Sequence, residues 1–268
     1  MSSERDATGR VVLVGGGPGD PGLMTVAGLD AVRSADVVVT DRLAPVAVLD
    51  DLGPDVEVID VGKVPFGRAT PQEEINRILI DHARRGRTVV RLKGGDSFLF
   101  GRGGEEHLAC TDAGVPVTVI PGVTSAFSVP ALAGIPATHR GLSQGVSVVS
   151  GHVPPGSPDS TLDYGALARS GTTLVLLMAV TNLPAITAEL LAQGLPGATP
   201  AVMIENGSTP AQRVLRGTLA TIARDAAEEE IAPPAITVIG AVAALAEQLA
   251  PGLPPPSRAG SEVAFPSR

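Results

Sequence analysis

The sequence is short of several residue types, and each shortage limits what the protein can be. Only one of its 268 residues is a cysteine, Cys110, so neither an intrachain disulfide nor a zinc site built from several thiolates can form. The four histidines are scattered without the close spacing of a metal site, and we predict no metal. No apolar run approaches the roughly 18 residues that cross a bilayer, and the N-terminal residues lack a signal peptide's apolar segment. We therefore expect a cytoplasmic protein without a membrane partner.

Lysine is also scarce, since Lys63 and Lys93 are the only two beside eighteen arginines. The formal net charge is -8, and no basic run is visible. Nucleic-acid binding depends on basic side chains that neutralise phosphates, so we expect no nucleic-acid partner. An anionic small substrate would need a local basic patch.

What the sequence does contain is typical of an α/β protein: hydrophobic residues make up 44%, glycine and proline are frequent, and aromatic residues make up 2%. Short apolar runs alternate with amphipathic helices, of which residues 70–85 are the longest, at the spacing of a mostly parallel sheet. We predict two α/β domains with mixed, mostly parallel sheets. Their expected bounds are a flexible N-terminus at 1–10, domains at 11–141 and 142–250, and a disordered tail at 251–268.

The stretch from Val89 to Glu106 joins an apolar strand to a glycine-rich loop. Its apolar start predicts a buried strand that ends at Gly94 and Gly95. Glu105 and Glu106 would then complement the positive N-terminal end of the next helix. In open α/β sheets, ligands bind where the carboxyl end of a strand opens into such a loop.

An earlier loop, from Gly17 to Gly22, matches the GxGxxG pattern of dinucleotide-binding proteins. Its residues argue against a phosphate ligand, because Pro18 and Pro21 have no N–H to donate and Asp20 adds negative charge.

Acidic residues follow three of the predicted strands, at Asp20, Asp41 and Asp96. Together with loops rich in backbone carbonyls, they favour a ligand with positive charge and hydroxyl groups over a polyphosphate. S-adenosylmethionine has a sulfonium, an ammonium, a ribose diol and no phosphate, so it meets these requirements. For each aspartate taken alone, capping of a loop or helix is the alternative.

A series of motifs resembles the tetrapyrrole methylase family, and within it the members that methylate uroporphyrinogen III. The matching segments, in chain order, are VGGGPGDPGLMT, DRL, VGK, QEEIN, VVRLKGGDSFLFGRGGEE, PGVTSAFSVPALAGIPATHRG, TLVLLMAV, ENGSTPAQRVLRGTL and PAITVIG. Together they cover nearly all of residues 11–245.

The resemblance implies two α/β domains with an interdomain cleft, S-adenosylmethionine bound in that cleft, S-adenosylhomocysteine as product, and a homodimer. It implies that Asp41 is the proton acceptor and Lys63 the proton donor. The residues that it places in the methyl-donor site are Pro18, Gly94, Gly95, Asp96, Leu99, Thr124, Ser125, Met178, Gly207 and Ala235.

Four positions depart from the family's usual residues. They are Thr40, Ser97, Ser125 and Ala179, where the family often has Tyr, Pro, Ala and Gly. Residues 64–71 also depart from the common basic, histidine-containing form.

The reaction that the resemblance implies is methylation of uroporphyrinogen III at C2 and C7, giving precorrin-2 by way of precorrin-1. Because this substrate carries many carboxylates, we expect arginines beside the cleft motifs to bind it. Arg91 and Lys93 are further candidates, although both could instead pair with nearby acidic residues. The residues predicted to bind the substrate are Arg42, Arg68, Arg102 and Arg140.

Other functions remain open from the sequence. A related methylase acting on a later corrin intermediate, or on a protein residue as in diphthine formation, would retain the same donor loops. A NAD(P)-dependent oxidoreductase or a non-catalytic tetrapyrrole-binding protein is a less favoured alternative. Bifunctional relatives carry an additional dehydrogenase and chelatase region, and we expect this chain to stop at methylation.

Overall fold

The computed structural model describes residues 9–62 and 70–249. The chain divides into two compact units, Met1–Ser128 and Val129–Arg268. This division falls earlier in the chain than the domain boundary expected after residue 141, which stays a prediction.

The first unit contains a five-stranded parallel sheet in the order β3-β2-β4-β1-β5. Its strands are β1 (Arg10–Gly15), β2 (Val37–Thr40), β3 (Glu57–Asp60), β4 (Thr88–Lys93) and β5 (Val117–Ile120). The helices are α1 (Val26–Arg33), α2 (Gln72–Arg84) and α3 (Gly103–Asp112), and α4 (Ser125–Leu132) crosses the division between the units.

Both faces of this sheet are covered, which explains why the strands are nearly continuous apolar runs. Alternate residues point to opposite faces. Leu13 and Val89 lie in a core with Leu79 of α2, whereas Val14 and Val90 lie in a second core with Val32 of α1. The first helix begins at Val26, after a separate 3-10 turn at Pro21–Leu23.

The second unit contains a five-stranded sheet in the order β6-β7-β10-β8-β9. Its strands are β6 (Val146–Ser150), β7 (Thr173–Leu177), β8 (Pro200–Glu205), β9 (Arg213–Thr218) and β10 (Ala235–Ile239). Its helices are α5 (Tyr164–Arg169), α6 (Leu183–Ala192), α7 (Ile222–Glu228) and the short α8 (Ala246–Leu249).

Strand direction in this second sheet is mixed, and it is more antiparallel than the sequence predicted. Only β6 and β7 pair in parallel, while β10 pairs antiparallel with both β7 and β8, and β8 pairs antiparallel with β9. The short connection at residues 206–212 explains the last pairing, because a parallel neighbour requires a long crossover. One core lies between Leu176 and Met203 of the sheet and Ile186 of α6.

Candidate functional site

The carboxyl ends of β1, β4 and β5 meet at one edge of the first sheet, because these strands are parallel neighbours. Here the N–H of Gly17 donates to the carbonyl of Gly95 at 3.1 Å, and the N–H of Gly95 donates back to Gly17 at 2.6 Å. A Cβ on Gly122 would lie 2.3 Å from the Gly95 oxygen and 2.5 Å from the Gly15 carbonyl carbon. The three loops therefore pack backbone against backbone, and side chains are excluded between them.

Asp96 joins two of these loops through its carboxylate. Its Oδ1 accepts the N–H of Phe98 at 2.9 Å, and its Oδ2 accepts the N–H of Gly122 at 3.0 Å. The structure thus gives Asp96 a direct part in the shape of this edge, as a link between the ends of β4 and β5. Its predicted contact with a methyl donor stays a prediction.

Other predicted donor-site residues of the first unit lie around the same edge. A Cβ on Gly95 would be 3.7 Å from the N and 3.9 Å from the Oγ of Ser125, at the start of α4. Thr124 accepts the N–H of Ala126 at 3.3 Å, and the half-buried Leu99 donates its N–H to the carbonyl of Asp96 at 3.3 Å.

The loop after β1 offers few N–H groups for a phosphate. Pro18 and Pro21 have none, the N–H of Gly16 donates to the carbonyl of Lys93 at 2.7 Å, and that of Gly17 is engaged with the β4 loop. The loop with the GxGxxG pattern therefore offers fewer N–H donors than a dinucleotide-binding loop does.

Asp41 follows β2, the strand beside β4, and its carboxylate is fixed from two sides. Oδ1 accepts the N–H of Leu43 at 3.2 Å, and Oδ2 accepts a hydrogen bond from Nη2 of Arg91 at 3.0 Å. The Asp41 side chain remains 28% exposed. It is thus held in one orientation while still accessible to a ligand.

The loop from Asp41 to Leu43 is in tight contact with two glycines. A Cβ on Gly94 would lie 2.4 Å from the Leu43 carbonyl oxygen, and one on Gly62 would lie 2.7 Å from the Arg42 nitrogen. Gly94 therefore supports the Asp41 loop directly, in addition to belonging to the glycine loop predicted to line the donor site.

A buried cluster of charged side chains lies behind Asp41. Glu106 of α3 is fully buried, and its Oε1 accepts from Nε of Arg91 at 3.0 Å, from Nζ of Lys93 at 3.1 Å and from Nε2 of Gln72 at 3.3 Å. Arg91 and Lys93 are 2% and 5% exposed. We call Asp41, Arg91, Lys93 and Glu106 the Glu106 cluster.

Arg91 and Lys93 were candidates either to bind the substrate or to pair with nearby acidic residues. The structure shows that both pair with acidic residues of the Glu106 cluster. Burial lowers the pKa of Lys93, and the nearby charge of Arg91 lowers it further, against the opposing effect of Glu106. Burial also raises the pKa of the Cys110 thiol to about 11, with a smaller effect from Glu106.

Sequence reasoning missed Glu106, which it treated as a helix-end charge equivalent to Glu105. A signal was present in the sequence, because cysteine is among the residues most often buried and Glu106 lies four residues before Cys110, on the same face of the helix. Two cations on a buried strand also require a compensating acid.

The predicted substrate-binding arginines have different environments. Arg42 and Arg140 are exposed, and within residues 9–62 and 70–249 no ion pair engages either side chain. Arg102 is exposed but forms a two-point ion pair with Glu105, at 2.8 Å and 2.6 Å. Arg68 and the predicted proton donor, Lys63, lie outside the described residues.

In the second unit, the predicted donor-site residues lie at one edge of the mixed sheet. Met178 follows β7, Gly207 follows β8, and Ala235 begins β10, which runs antiparallel between those two strands. Two residues here that are not glycine have left-handed backbone angles, with φ of 55° at Met178 and 49° at Asn206. Such angles are costly and are concentrated at functional sites. A Cβ on Gly207 would lie 2.3 Å from Cγ1 of Val129, so this turn requires glycine.

Three of the positions that depart from the family's usual residues are buried, namely Thr40, Ser97 and Ala179. Ser97 is fully buried, and its hydroxyl has no hydrogen-bond partner in the described part of the chain. Ala179 is 1% exposed, and a Cβ on Gly151 would lie 2.6 Å from its own Cβ. The extra methyl group of Ala179 therefore faces a glycine that leaves room for it.

Solved methylases share the fold built from the parallel sheet and the mixed sheet that follows it. A family model described as tetrapyrrole (corrin/porphyrin) methylases matches residues 10–223, and the chain belongs to this family. The membership and the two-sheet α/β fold predicted from the sequence are thereby confirmed.

Particular relatives are similar over most of the chain. The chain is 43% identical to uroporphyrin-III C-methyl transferase from Thermus thermophilus, in a structure with S-adenyl homocysteine, with a TM-score of 0.75 and coverage of 88% of this chain and 100% of that one. A cobalt precorrin-4 methyltransferase gives a TM-score of 0.79 at 25% identity, covering 91% of this chain and 99% of that one.

Longer relatives match as well. Siroheme synthase 2 of Klebsiella pneumoniae is 45% identical over 241 residues, which are 90% of this chain and 52% of that protein. Siroheme synthase of Tolumonas auensis is 46% identical over 249 residues, or 93% of this chain and 52% of that protein. The chain thus spans about half the length of the curated relatives that it matches.

None of the helices in residues 9–62 and 70–249 has the length and apolar character needed to span a membrane. Nor do those residues form a group of three or more histidine, cysteine, aspartate or glutamate side chains that could hold a metal ion.

Proposed function

We propose that this chain transfers methyl groups from S-adenosylmethionine to C2 and C7 of uroporphyrinogen III, forming precorrin-2 by way of precorrin-1. The observation that carries the proposal is the 43% identity to a uroporphyrin-III C-methyl transferase whose full length the match covers and whose structure contains S-adenyl homocysteine. The glycine-lined edge of the first sheet supports the same conclusion.

The residues at that edge are suited to the methyl donor, which supplies an electrophilic methyl group on a sulfonium. Gly15, Gly95 and Gly122 let the three loops pack backbone against backbone, which holds the ends of β1, β4 and β5 together where the donor would bind. The β1 loop favours a ligand without phosphate, because its prolines donate no N–H. Pro18, Gly94, Gly95, Asp96, Leu99, Thr124 and Ser125 would bind the donor from this unit, and Met178, Gly207 and Ala235 from the other.

Asp41 would accept the proton that the acceptor releases after methylation. Its carboxylate is oriented by Arg91 and by the N–H of Leu43, yet it remains partly exposed. Lys63 would act as proton donor. A single acid or base contributes roughly 10² to 10⁴-fold, whereas alignment of two reactants can lower the barrier by roughly 7 to 11 kcal/mol. The main contribution of the protein would therefore be alignment.

The carboxylates of uroporphyrinogen III would bind to exposed arginines. Arg42 and Arg140 are the best candidates because no ion pair within the described residues engages them. Arg102 would have to exchange Glu105 for a substrate carboxylate. Arg68 completes the proposed set. The formal net charge of -8 makes such a local basic surface necessary.

We further propose a cytoplasmic homodimer that binds neither nucleic acid nor membrane. The domain bounds at residues 11–141 and 142–250 belong to the same proposal.

A related methylase activity on a later corrin intermediate is the second candidate. The likeness to cobalt precorrin-4 methyltransferase favours it, although the 25% identity is well below the 43% of the first match. Initial rates with labelled donor, measured across uroporphyrinogen III and corrin acceptors, separate the two. A higher kcat/KM for a corrin acceptor would replace the proposed substrate.

A further inference from the structure

The Glu106 cluster is costly to bury, and its cost needs an explanation. Removing charges from water is unfavourable, and a buried ion pair is often no more stabilising than apolar residues of similar volume. Arg91, Lys93 and Glu106 are nevertheless all at least 95% buried. Stability alone therefore does not account for the Glu106 cluster.

The hydrogen bonds of Arg91 connect Glu106 to Asp41. Arg91 uses Nε for Glu106 and Nη2 for Asp41, each at 3.0 Å, while its Nη1 is bound to the backbone carbonyls of Val39 at 3.3 Å and Leu92 at 3.2 Å. The guanidinium is planar and rigid, so fixing one edge on Glu106 fixes the direction of the other. Glu106 thus controls the contact between Arg91 and Asp41.

Lys93 completes the balance of charge. It stands two residues after Arg91, on the same face of β4, and shares the Oε1 atom of Glu106. With Lys93 protonated, two cations face two carboxylates. A change at either Glu106 or Lys93 alters the charge near Asp41 without touching Asp41 itself.

We propose that Glu106 and Lys93 are positioning residues for methyl transfer, which through Arg91 hold the Asp41 carboxylate in place and set the charge around it. The proposal rests on the proposed function, in which Asp41 accepts a proton.

The direction of each effect follows from the sign of the charge removed. Glu106→Gln keeps the shape of the side chain but removes a negative charge. The charged form of the Asp41 carboxylate is then favoured, and the acid limb of the kcat pH profile moves to lower pH. Lys93→Met removes a positive charge, so that limb moves to higher pH. General damage to the fold would not produce shifts of opposite sign.

Other charges near Asp41 are the same in both variants. The side chain that reaches Glu106 from α2 is the neutral Gln72, which also donates to Asn76. Among the described residues, the ion pairs of the Glu106 cluster join Arg91 and Lys93 of β4 to Glu106 of α3, and Arg91 to Asp41. Asp60, at the end of β3, is the register partner of Thr40, and Arg42 follows Asp41 in the chain.

The test compares the pH profile of kcat and the S-adenosylhomocysteine dissociation constant in the full-length wild type and three variants. We expect the acid limb to shift by about one pH unit downward in Glu106→Gln and upward in Lys93→Met. The kcat at the optimum pH should fall at least about tenfold in both variants. Their affinity for S-adenosylhomocysteine should stay within about threefold of that of the wild type. Glu74→Gln, which alters an exposed carboxylate of α2 paired with Arg77, should match wild type.

Unshifted acid limbs, or shifts in the same direction, would overturn the positioning role, as would loss of S-adenosylhomocysteine binding. If Glu106→Gln does not fold, Lys93→Met decides alone, because Met replaces a buried charge by an apolar side chain of similar length. Failure of the proposed function is recognised separately, since wild type would then transfer no methyl group to uroporphyrinogen III.

Discussion

Gly94→Ala should disable the enzyme by moving the loop that carries Asp41. A Cβ on Gly94 would lie 2.4 Å from the carbonyl oxygen and 2.8 Å from the carbonyl carbon of Leu43, both backbone atoms that cannot rotate away. Ordinary contact begins at about 3.4 Å, so the loop must move by about 1 Å. A displacement of that size can reduce turnover by about 10²-fold, and overpacking costs about 1 to 3 kcal/mol of unfolding free energy.

The assay for Gly94→Ala is kcat with uroporphyrinogen III and S-adenosylmethionine, together with urea unfolding of the same preparation. Gly104→Ala is the matched control in the same motif, because a Cβ there meets no atom within 4 Å. The control should retain wild-type kcat and gain up to about 1 kcal/mol of stability, since alanine replaces glycine in a helix. A kcat for Gly94→Ala within about threefold of Gly104→Ala would refute the packing argument.

Other predictions follow from the site. Asp41→Asn and Lys63→Ala should each slow turnover by about 10² to 10⁴-fold and leave S-adenosylhomocysteine binding intact in calorimetry, and loss of that binding would contradict the assigned roles. Replacing Arg42 and Arg140 by glutamine should raise KM for uroporphyrinogen III and weaken its dependence on salt, whereas an unchanged salt dependence would argue against a basic surface. Cys110, with its pKa raised to about 11, should stay a thiol at pH 8 and resist alkylation until the protein unfolds, and rapid labelling of the native protein would be inconsistent with its burial.

Most strands could be predicted from the sequence to within one or two residues. In the first unit, short runs such as the buried residues 11–14 and the half-buried residues 117–120 need little more than their apolar character and the glycines that follow them. Helix ends were less certain, because the 3-10 turn at Pro21–Leu23 and the cap formed by Thr25 depend on individual hydrogen bonds.

The directions of the strands in the second sheet could not be predicted from the sequence pattern. An apolar run such as Ala235–Ile239 has the same appearance whether its neighbours are parallel or antiparallel to it. Direction depends on which strands become neighbours, and β10 inserts between β7 and β8 although both come much earlier in the chain.

The candidate site was predictable where it consists of loops and was missed where it depends on side-chain packing. Gly94, Gly95 and Asp96 lie where the motif placed them, at the carboxyl end of β4. Glu105 and Glu106 look equivalent in the sequence, yet successive helix residues are rotated by about 100°, which leaves one 54% exposed and the other fully buried. Only the packing of α3 on the sheet decides which one joins Arg91 and Lys93.

The most direct test of the proposed function is the number of methyl groups that the protein adds to uroporphyrinogen III. The purified chain is incubated with uroporphyrinogen III and S-adenosylmethionine carrying a ¹³C-labelled methyl group, and the product is analysed by mass spectrometry and ¹³C NMR. We expect two labelled methyl groups, at C2 and C7. A product without labelled methyl groups, or with labels at other ring positions only, would contradict the proposed function.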